Sequence, residues 1–409
     1  MTTKPLRIAM LCVHSCPMGK LGEKDTGGMS VYVRELAYEL GNQGHHIDVY
    51  TRAHDRTETA ISQIGNNARL IHLRAGKDEK MEKLLIYPHL DDFACRLEKF
   101  RKDNQLQYDV IHSHYWLSGW VGQKVQRWWN SHHVTTFHTL GAVKNKANLG
   151  YDEPDLRIET ERQVAIDCHR VIATSRKERE ELLYHYGITN KNIGIVPCGV
   201  NLDLFRPIDK DIARKHLGVN GERLILFVGR IDPLKGLEQL LTAVSYLDYQ
   251  GINLLVVGGD ESCAREMQDL KALCHSMNVH ESVTFVGRME QKDLPFFYAA
   301  ADVCVMPSYY ESFGLVPLES LACGTPVVAT RVGAVEDVIR DGETGYIVDN
   351  NQPDLLAGRI SDILSQQQDH GSRIAANRES IIRFGWKNVA TSIQNEYTSV
   401  ISNLPSHYS

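Results

Sequence analysis

Twice along this chain, short apolar runs rich in β-branched residues alternate with stretches of helical period, and the alternation restarts after Pro207. In the first series Leu6–Val13, Ile47–Thr51, Leu70–Leu73, Val110–His112, Val134–Phe137 and Val171–Ala173 read as strands. Helical patterns separate them at Gly28–Asn42, closed by Gly44, at a Trp-containing stretch before Val134, and at Leu156–Asp167. The second series has strands at Leu224–Val228, Leu254–Val257, Val283–Val286, Val303–Met306 and Val327–Ala329, with helices at Leu237–Leu247 and Cys263–Met277. A strand that is apolar along its whole length is buried on both faces, which requires a parallel sheet flanked by helices. The expectation is an α/β protein of two doubly wound, Rossmann-like domains, with the boundary at the aperiodic, Pro-terminated connector Val200–Pro207. Ligands of such sheets sit at the carboxyl ends of strands, here expected in the cleft between the domains.

Composition narrows the partners. The 45 Lys+Arg against 51 Asp+Glu leave a formal charge of −6, so the whole chain exerts no pull on nucleic acid. Residues 1–200 hold 27 cations against 24 anions and 13 of the 18 histidines; the remainder is strongly acidic. That asymmetry suits two domains with different partners. No stretch approaches the ~20 apolar residues of a membrane span, and Arg7 interrupts the one N-terminal apolar candidate, so no cleaved signal is expected. Nine cysteines include one close pair, Cys12 and Cys16, with no second pair to complete a zinc site. Reduced thiols and a cytoplasmic location are expected.

Four motifs carry chemistry. The first strand runs through a loop, Gly19–Gly28, into a helix, and Gly27 and Gly28 let a ligand approach the free N–H groups of the helix start. The spacing is not G-x-G-x-x-G and no acidic residue follows at the dinucleotide distance, which disfavours a nicotinamide cofactor. After the strand Val303–Met306, Glu311 lies in a loop with the flexible Gly314, and Pro317 places Glu319 in the first turn of the next helix. Paired carboxylates at one strand mouth form a ligand site more readily than a core. Arg230 leaves a strand end, and Lys235 sits on a turn before a helix; fixed cations there suit a diphosphate leaving group when no metal serves. His112, His114 and His138 end two neighbouring strands without a close Asp or Glu, which favours hydrogen bonding to a sugar hydroxyl or phosphate over metal binding.

Together these motifs resemble the retaining nucleotide-sugar glycosyltransferases of GT-B fold, family four, nearly end to end, including Phe384-Gly-Trp386 before a last helix. The resemblance implies domains at 1–205 (acceptor) and 206–385 (donor), with 386–409 a helix crossing back to the first. It implies that Arg230 and Lys235 hold the donor diphosphate, Glu319 the ribose hydroxyls, and Glu311 the transferred sugar. The backbone of Phe313, Gly314 and Leu315 would contact sugar and phosphate, Gly28 the diphosphate, His138 the sugar near its reacting carbon, and Arg288 the base. A UDP-sugar would be co-substrate, with no further cofactor and no metal.

Asp25–Tyr32, His112–Gly119 and His138–Asn145 resemble most the mycothiol-pathway enzymes that glycosylate an inositol phosphate. That similarity assigns the acceptor phosphate to Lys83, Tyr115, Thr139 and Arg157. Sucrose-phosphate synthases share the layout, but Met-Ser follows Gly28 here rather than their frequent Gln. Other readings are a nucleotide-sugar epimerase, a non-catalytic sugar binder, and a transferase touching lipid through the helix bearing Lys124, Arg127, Trp128 and Trp129. For that Trp pair a homodimer contact or core packing is the favoured alternative.

Overall fold

The computed structural model describes residues 4–20, 26–77, 79–146, 152–219, 223–248, 251–260, 263–366 and 370–402; the middle of the Gly19–Gly28 loop, residues 21–25, lies outside them. Two compact units emerge. One runs to Pro197 and takes up the chain again at Trp386; the other is Cys198–Gly385.

The first unit is built on eight described strands: β1 (Arg7–Leu11), β2 (His46–Arg52), β3 (Ile61–Gly65), β4 (Ala68–Leu73), β5 (Val110–His114), β6 (His132–Thr136), β7 (Arg170–Ala173) and β8 (Ile193–Ile195). Their order is β3-β4-β2-β1-β5-β6-β7-β8, parallel except for the edge strand β3. β3 escapes a reading based on apolar runs because its residues are exposed or half-buried at the sheet edge. The final helix, Trp386–Ser402, belongs to this unit. It buries Trp386, Val389, Ala390, Ile393, Tyr397 and Val400, the one-faced spacing of an amphipathic helix. The Trp386 ring meets Tyr32 of the helix Gly28–Asn42 edge-on, with centroids 5.4 Å apart.

The second unit has β9 (Arg223–Val228), β10 (Ile252–Val257), β11 (Val283–Gly287), β12 (Val303–Met306), β13 (Val327–Thr330) and β14 (Gly345–Val348). All pair in parallel in the order β11-β10-β9-β12-β13-β14, the doubly wound order 3-2-1-4-5-6. The aperiodic connector is tied into this unit. Val200 N–H donates to Phe384 O at 2.9 Å, and the Arg378 guanidinium donates to the carbonyls of Leu202 and Phe205.

Each sheet is sandwiched by apolar helix faces. In the second unit Leu237, Leu240, Leu241 and Val244 of the helix Leu237–Ser245 pack with Ile225, Phe227, Leu254 and Val256. Leu240 is fully buried, so Leu240→Ala is expected to lower the unfolding free energy of this unit by about 2–5 kcal/mol. Urea titration checks this; a loss below about 1 kcal/mol would contradict the packing.

Candidate active site

Strand order reverses between β1 and β5 in the first sheet and between β9 and β12 in the second, and doubly wound sheets bind ligands beyond the carboxyl ends at such points. In the first unit, His14 follows β1, Tyr115 follows β5, and His138 and Thr139 follow β6. Tyr115 and His138 both have left-handed backbones, with φ of 77° and 63°. For non-glycine residues this costs on the order of 1–3 kcal/mol, and it persists only where the surroundings enforce it. Tyr115 N–H is held by Thr136 O at 2.9 Å.

Lys83, Tyr115, Thr139 and Arg157, far apart in sequence, come together here. Arg157 is buried on the helix Asp155–Asp167. Its Nη2 donates to Thr139 O at 3.1 Å and to Thr139 Oγ1 at 2.9 Å. Its guanidinium carbon lies 4.9 Å from the Tyr115 ring centroid, and Lys83 Nζ lies 5.7 Å from the same centroid. Two carboxylates complete the arrangement: Nε donates to Glu161 at 2.7 Å, and Nη1 pairs with Glu153 at 2.8 Å. Burial works against the guanidinium's charge, but Glu161, Tyr115 and Glu153 outweigh it and hold the pKa above its usual value.

Motif reading did not single out His14, Glu153 or Glu161. His14 is buried with its ring centroid 4.4 Å from that of Tyr115, and its Nδ1 has no hydrogen-bond partner among the described residues. Burial, then Lys83 and Arg157, push its pKa well down, so it is neutral. Its only sequence signal was its position immediately after an apolar run. Glu161 was legible as an i+4 partner of Arg157; nothing marked it as buried.

The strand-end histidines hydrogen-bond to one another and to hydroxyls. His114 Nδ1 and His138 Nε2 are 3.0 Å apart. His112 bonds Tyr397 Oη at 2.7 Å and Thr136 Oγ1 at 3.0 Å. Burial lowers the His138 pKa to about 3, so the ring is uncharged at neutral pH. Among the described residues no three His, Cys, Asp or Glu side chains are grouped to hold a metal ion. Gly27 caps and Gly28 begins the helix Gly28–Asn42; a Cβ at Gly27 would meet nothing within 4 Å. On the helix Trp116–Trp129, Lys124 pairs with Asp91 and Arg127 with Asp167, and Trp129 Nε1 donates to Glu98 at 2.6 Å. Its cations are thus engaged within the unit, leaving Trp128 as the exposed ring.

In the second unit, Lys235 ends the 3₁₀ turn Pro233–Lys235 and forms an ion pair with Glu311, whose Oε1 also accepts from Ser308 Oγ at 3.3 Å. Gly236 locks this turn over the end of β12. Its φ is +65°, and a Cβ would lie 2.1 Å from Pro307 O, the oxygen that accepts from Asn351 Nδ2 at 3.0 Å. Arg230 follows β9 with its guanidinium half-exposed, 3.3 Å from Asp232. Arg288 follows β11, 3.6 Å from Asp260 at the end of β10.

Glu319 differs from expectation. The helix runs Leu315–Ala322 with Gly314 as its cap (φ +88°), so Pro317 is its third residue and Glu319 lies beyond the first turn. Proline is tolerated there because the first N–H groups of a helix have no intrahelical partner. Glu319 is therefore no dipole-complementing surface residue; it is buried, and Tyr298 Oη donates to it at 2.7 Å. Phe313 is buried, and its carbonyl accepts from Ala334 N–H at 3.0 Å.

Residues 26–204 match the model described as Glycosyltransferase Family 4, and residues 209–380 match Glycosyl transferases group 1. A D-inositol 3-phosphate glycosyltransferase of Acidothermus cellulolyticus is 38% identical over 97% of this chain and 91% of its own length. One of Mycolicibacterium smegmatis is 35% identical over 98% and 92%. Among solved structures, sucrose-phosphate synthase from Thermosynechococcus elongatus superposes with a TM-score of 0.88 at 31% identity, covering 98% of this chain and 100% of that one. Anabaena HepE in complex with UDP and glucose shares the fold, with a TM-score of 0.78 at 18% identity over 96% of this chain and 100% of that chain. Two doubly wound units of this kind are the GT-B architecture of a glycosyltransferase. The chain belongs to glycosyltransferase family four.

Burial raises the Glu319 pKa to about 7. The unfolded carboxyl ionises near its ordinary value of 4.5, while the native one stays protonated until about 7, so stability falls as pH rises between them. Glu319→Gln should flatten the stability–pH slope of the second unit between about pH 5 and 8. Urea midpoints across that range check it; an unchanged slope would place the carboxylate in a more polar setting than described.

Proposed function

We propose that this protein moves a hexosyl unit, glucose or N-acetylglucosamine, from a UDP-sugar to a hydroxyl of a small phosphorylated acceptor of the inositol phosphate class, retaining anomeric configuration and needing no metal. The convergence of Lys83, Tyr115, Thr139 and Arg157 into one half-buried basic patch carries the acceptor half of this reading. The curated relatives named for D-inositol 3-phosphate support it. Free cysteines throughout fit a reducing, cytoplasmic setting.

On the donor side, the proposal gives Arg230 and Lys235 the diphosphate, Arg288 the base, Glu319 the ribose, and Glu311 the transferred sugar. The backbone at Phe313, Gly314 and Leu315 would face sugar and phosphate, and Gly27 and Gly28 would approach the diphosphate. In the reaction the bond from the anomeric carbon to the diphosphate oxygen breaks. The acceptor oxygen bonds to that carbon from the same face, and its proton passes to the departing oxygen. Charge then develops on the diphosphate, where preorganised cations are most effective. The Lys235–Glu311 pair supports this reading because it presets the ammonium beside the sugar-facing carboxylate. Uncharged His138 would hydrogen-bond the sugar without adding charge near the reacting carbon.

Lys235→Ala should lower the transfer rate by about 10²–10³, the usual cost of losing one such electrostatic contact. UDP release measured across a panel of UDP-sugars with inositol phosphates, fructose 6-phosphate, glucose phosphates and glycerol phosphate tests the acceptor. Inositol phosphates are expected to give the highest rate, with full activity in chelator and an unchanged anomeric configuration by NMR. Preference for fructose 6-phosphate would favour the sucrose-phosphate-synthase-like alternative. No release with any phosphorylated acceptor would refute the class.

A further inference from the structure

The two carboxylates on Arg157 are held very differently. Glu161 has no solvent exposure, and besides Arg157 Nε it accepts from Gly141 N–H at 2.9 Å and Tyr186 Oη at 2.5 Å. Removing it would strand three buried donors, so it is a permanent part of the unit. Glu153 keeps 18% of its side chain exposed and is held by two cations, Arg157 and Lys144. Its backbone is pinned separately: Asn145 Nδ2 donates to Glu153 O at 2.9 Å, and Glu153 N–H donates to Asn145 Oδ1 at 2.7 Å. The Glu153 side chain can therefore turn away while its backbone stays in place.

The hydrogen inventory of Arg157 makes this contrast consequential. A guanidinium has five N–H donors. Nε is committed to Glu161, and both Nη2 contacts go to Thr139, which leaves Nη1 and its partner Glu153. An oxyanion seeking a hydrogen bond from this group finds it at Nη1, in the place of that carboxylate. Charge leads to the same place. Glu153 is shared between Arg157 and Lys144, so when it turns out both cations lose the same carboxylate. An anion such as a phosphate monoester, about −1.5 to −2 at neutral pH, can make good that loss. Burial disfavours the ionised form of Glu153, but Arg157 and Lys144 more than offset it, keeping the carboxyl below its usual range and charged.

We propose that Glu153 is an exchangeable counter-ion, holding the anion position beside Arg157 and Lys144 and giving it up to the acceptor's phosphate. The inference rests on the acceptor reading above and adds a specificity device to it. Neutral acceptors cannot compensate the two cations that Glu153 would leave, so exchange admits only anionic ones.

The test is calorimetric titration of the full chain with inorganic phosphate, with saturating UDP present to occupy the donor-side cations. Glu153→Gln keeps shape and hydrogen bonding but removes the competing charge, and should bind phosphate about fivefold to tenfold more tightly. Glu153→Ala should bind at least as tightly as the parent chain. Lys83→Gln, which leaves Arg157 and Glu161 untouched, should bind several-fold more weakly. If both Glu153 variants bind phosphate less tightly while Lys83→Gln also weakens it, Glu153 merely props Arg157, and the exchange is overturned with the acceptor site intact. If none of the three changes phosphate affinity, the acceptor reading itself falls, and the exchange with it.

Discussion

A parallel strand buried on both faces can offer a polar side chain only where its pleat runs out or where a neighbouring strand supplies a partner, and both sheets depend on that constraint. Most strand interiors here are apolar, and the candidate site residues sit among those that follow β1, β5, β6, β9 and β12. The exception is instructive. β5 and β6 carry buried His112, Ser113, His133, Thr135 and Thr136 side by side. Ser113 Oγ bonds His133 Nε2 at 2.7 Å and Thr135 Oγ1 at 2.9 Å, and Tyr397 of the last helix completes the set through His112. The C-terminal helix thus satisfies a polar group that the sheet alone would leave wanting, in addition to covering an apolar face.

Charge is managed by the same logic. A buried ion pair is a poor source of stability, because desolvation consumes much of the Coulomb gain, but breaking one is costly. Arg157 is therefore better understood as fixed in place than as stabilising: Glu161, Thr139 and the Tyr115 ring hold its plane from three directions. Lys235 and Glu311 are both partly exposed, which suits the ligand-facing roles proposed for them. Net charge conceals all of this, since the acidic half of the chain still presents Arg230 and Lys235 at one strand mouth.

Much of the fold was legible because continuous apolar runs admit few arrangements; the strands that escaped, such as β3 at an edge of the first sheet and β14 at an edge of the second, are short and only partly buried. The site was legible as residue types after strand ends. Its strain was not: the left-handed backbones of Tyr115 and His138 carry no residue signature, because glycine or asparagine is the usual occupant of that region. Gly236, in the turn that carries Lys235, shows the reverse case: the glycine proves to be required by the approach of Pro307 O.

The sequence by itself determined two doubly wound sheets and the identity of the groups at their carboxyl ends, since hydrophobic period and strand-end position are local properties. Tertiary structure alone decided which of those groups meet. Lys83, Tyr115, Thr139 and Arg157 come from four separate stretches of chain and share one patch. It also decided that Glu319 is buried and protonated well above its usual range while Glu153 stays charged. Burial and partnership set a carboxylate's charge, and neither is written in the residue or its neighbours in the chain.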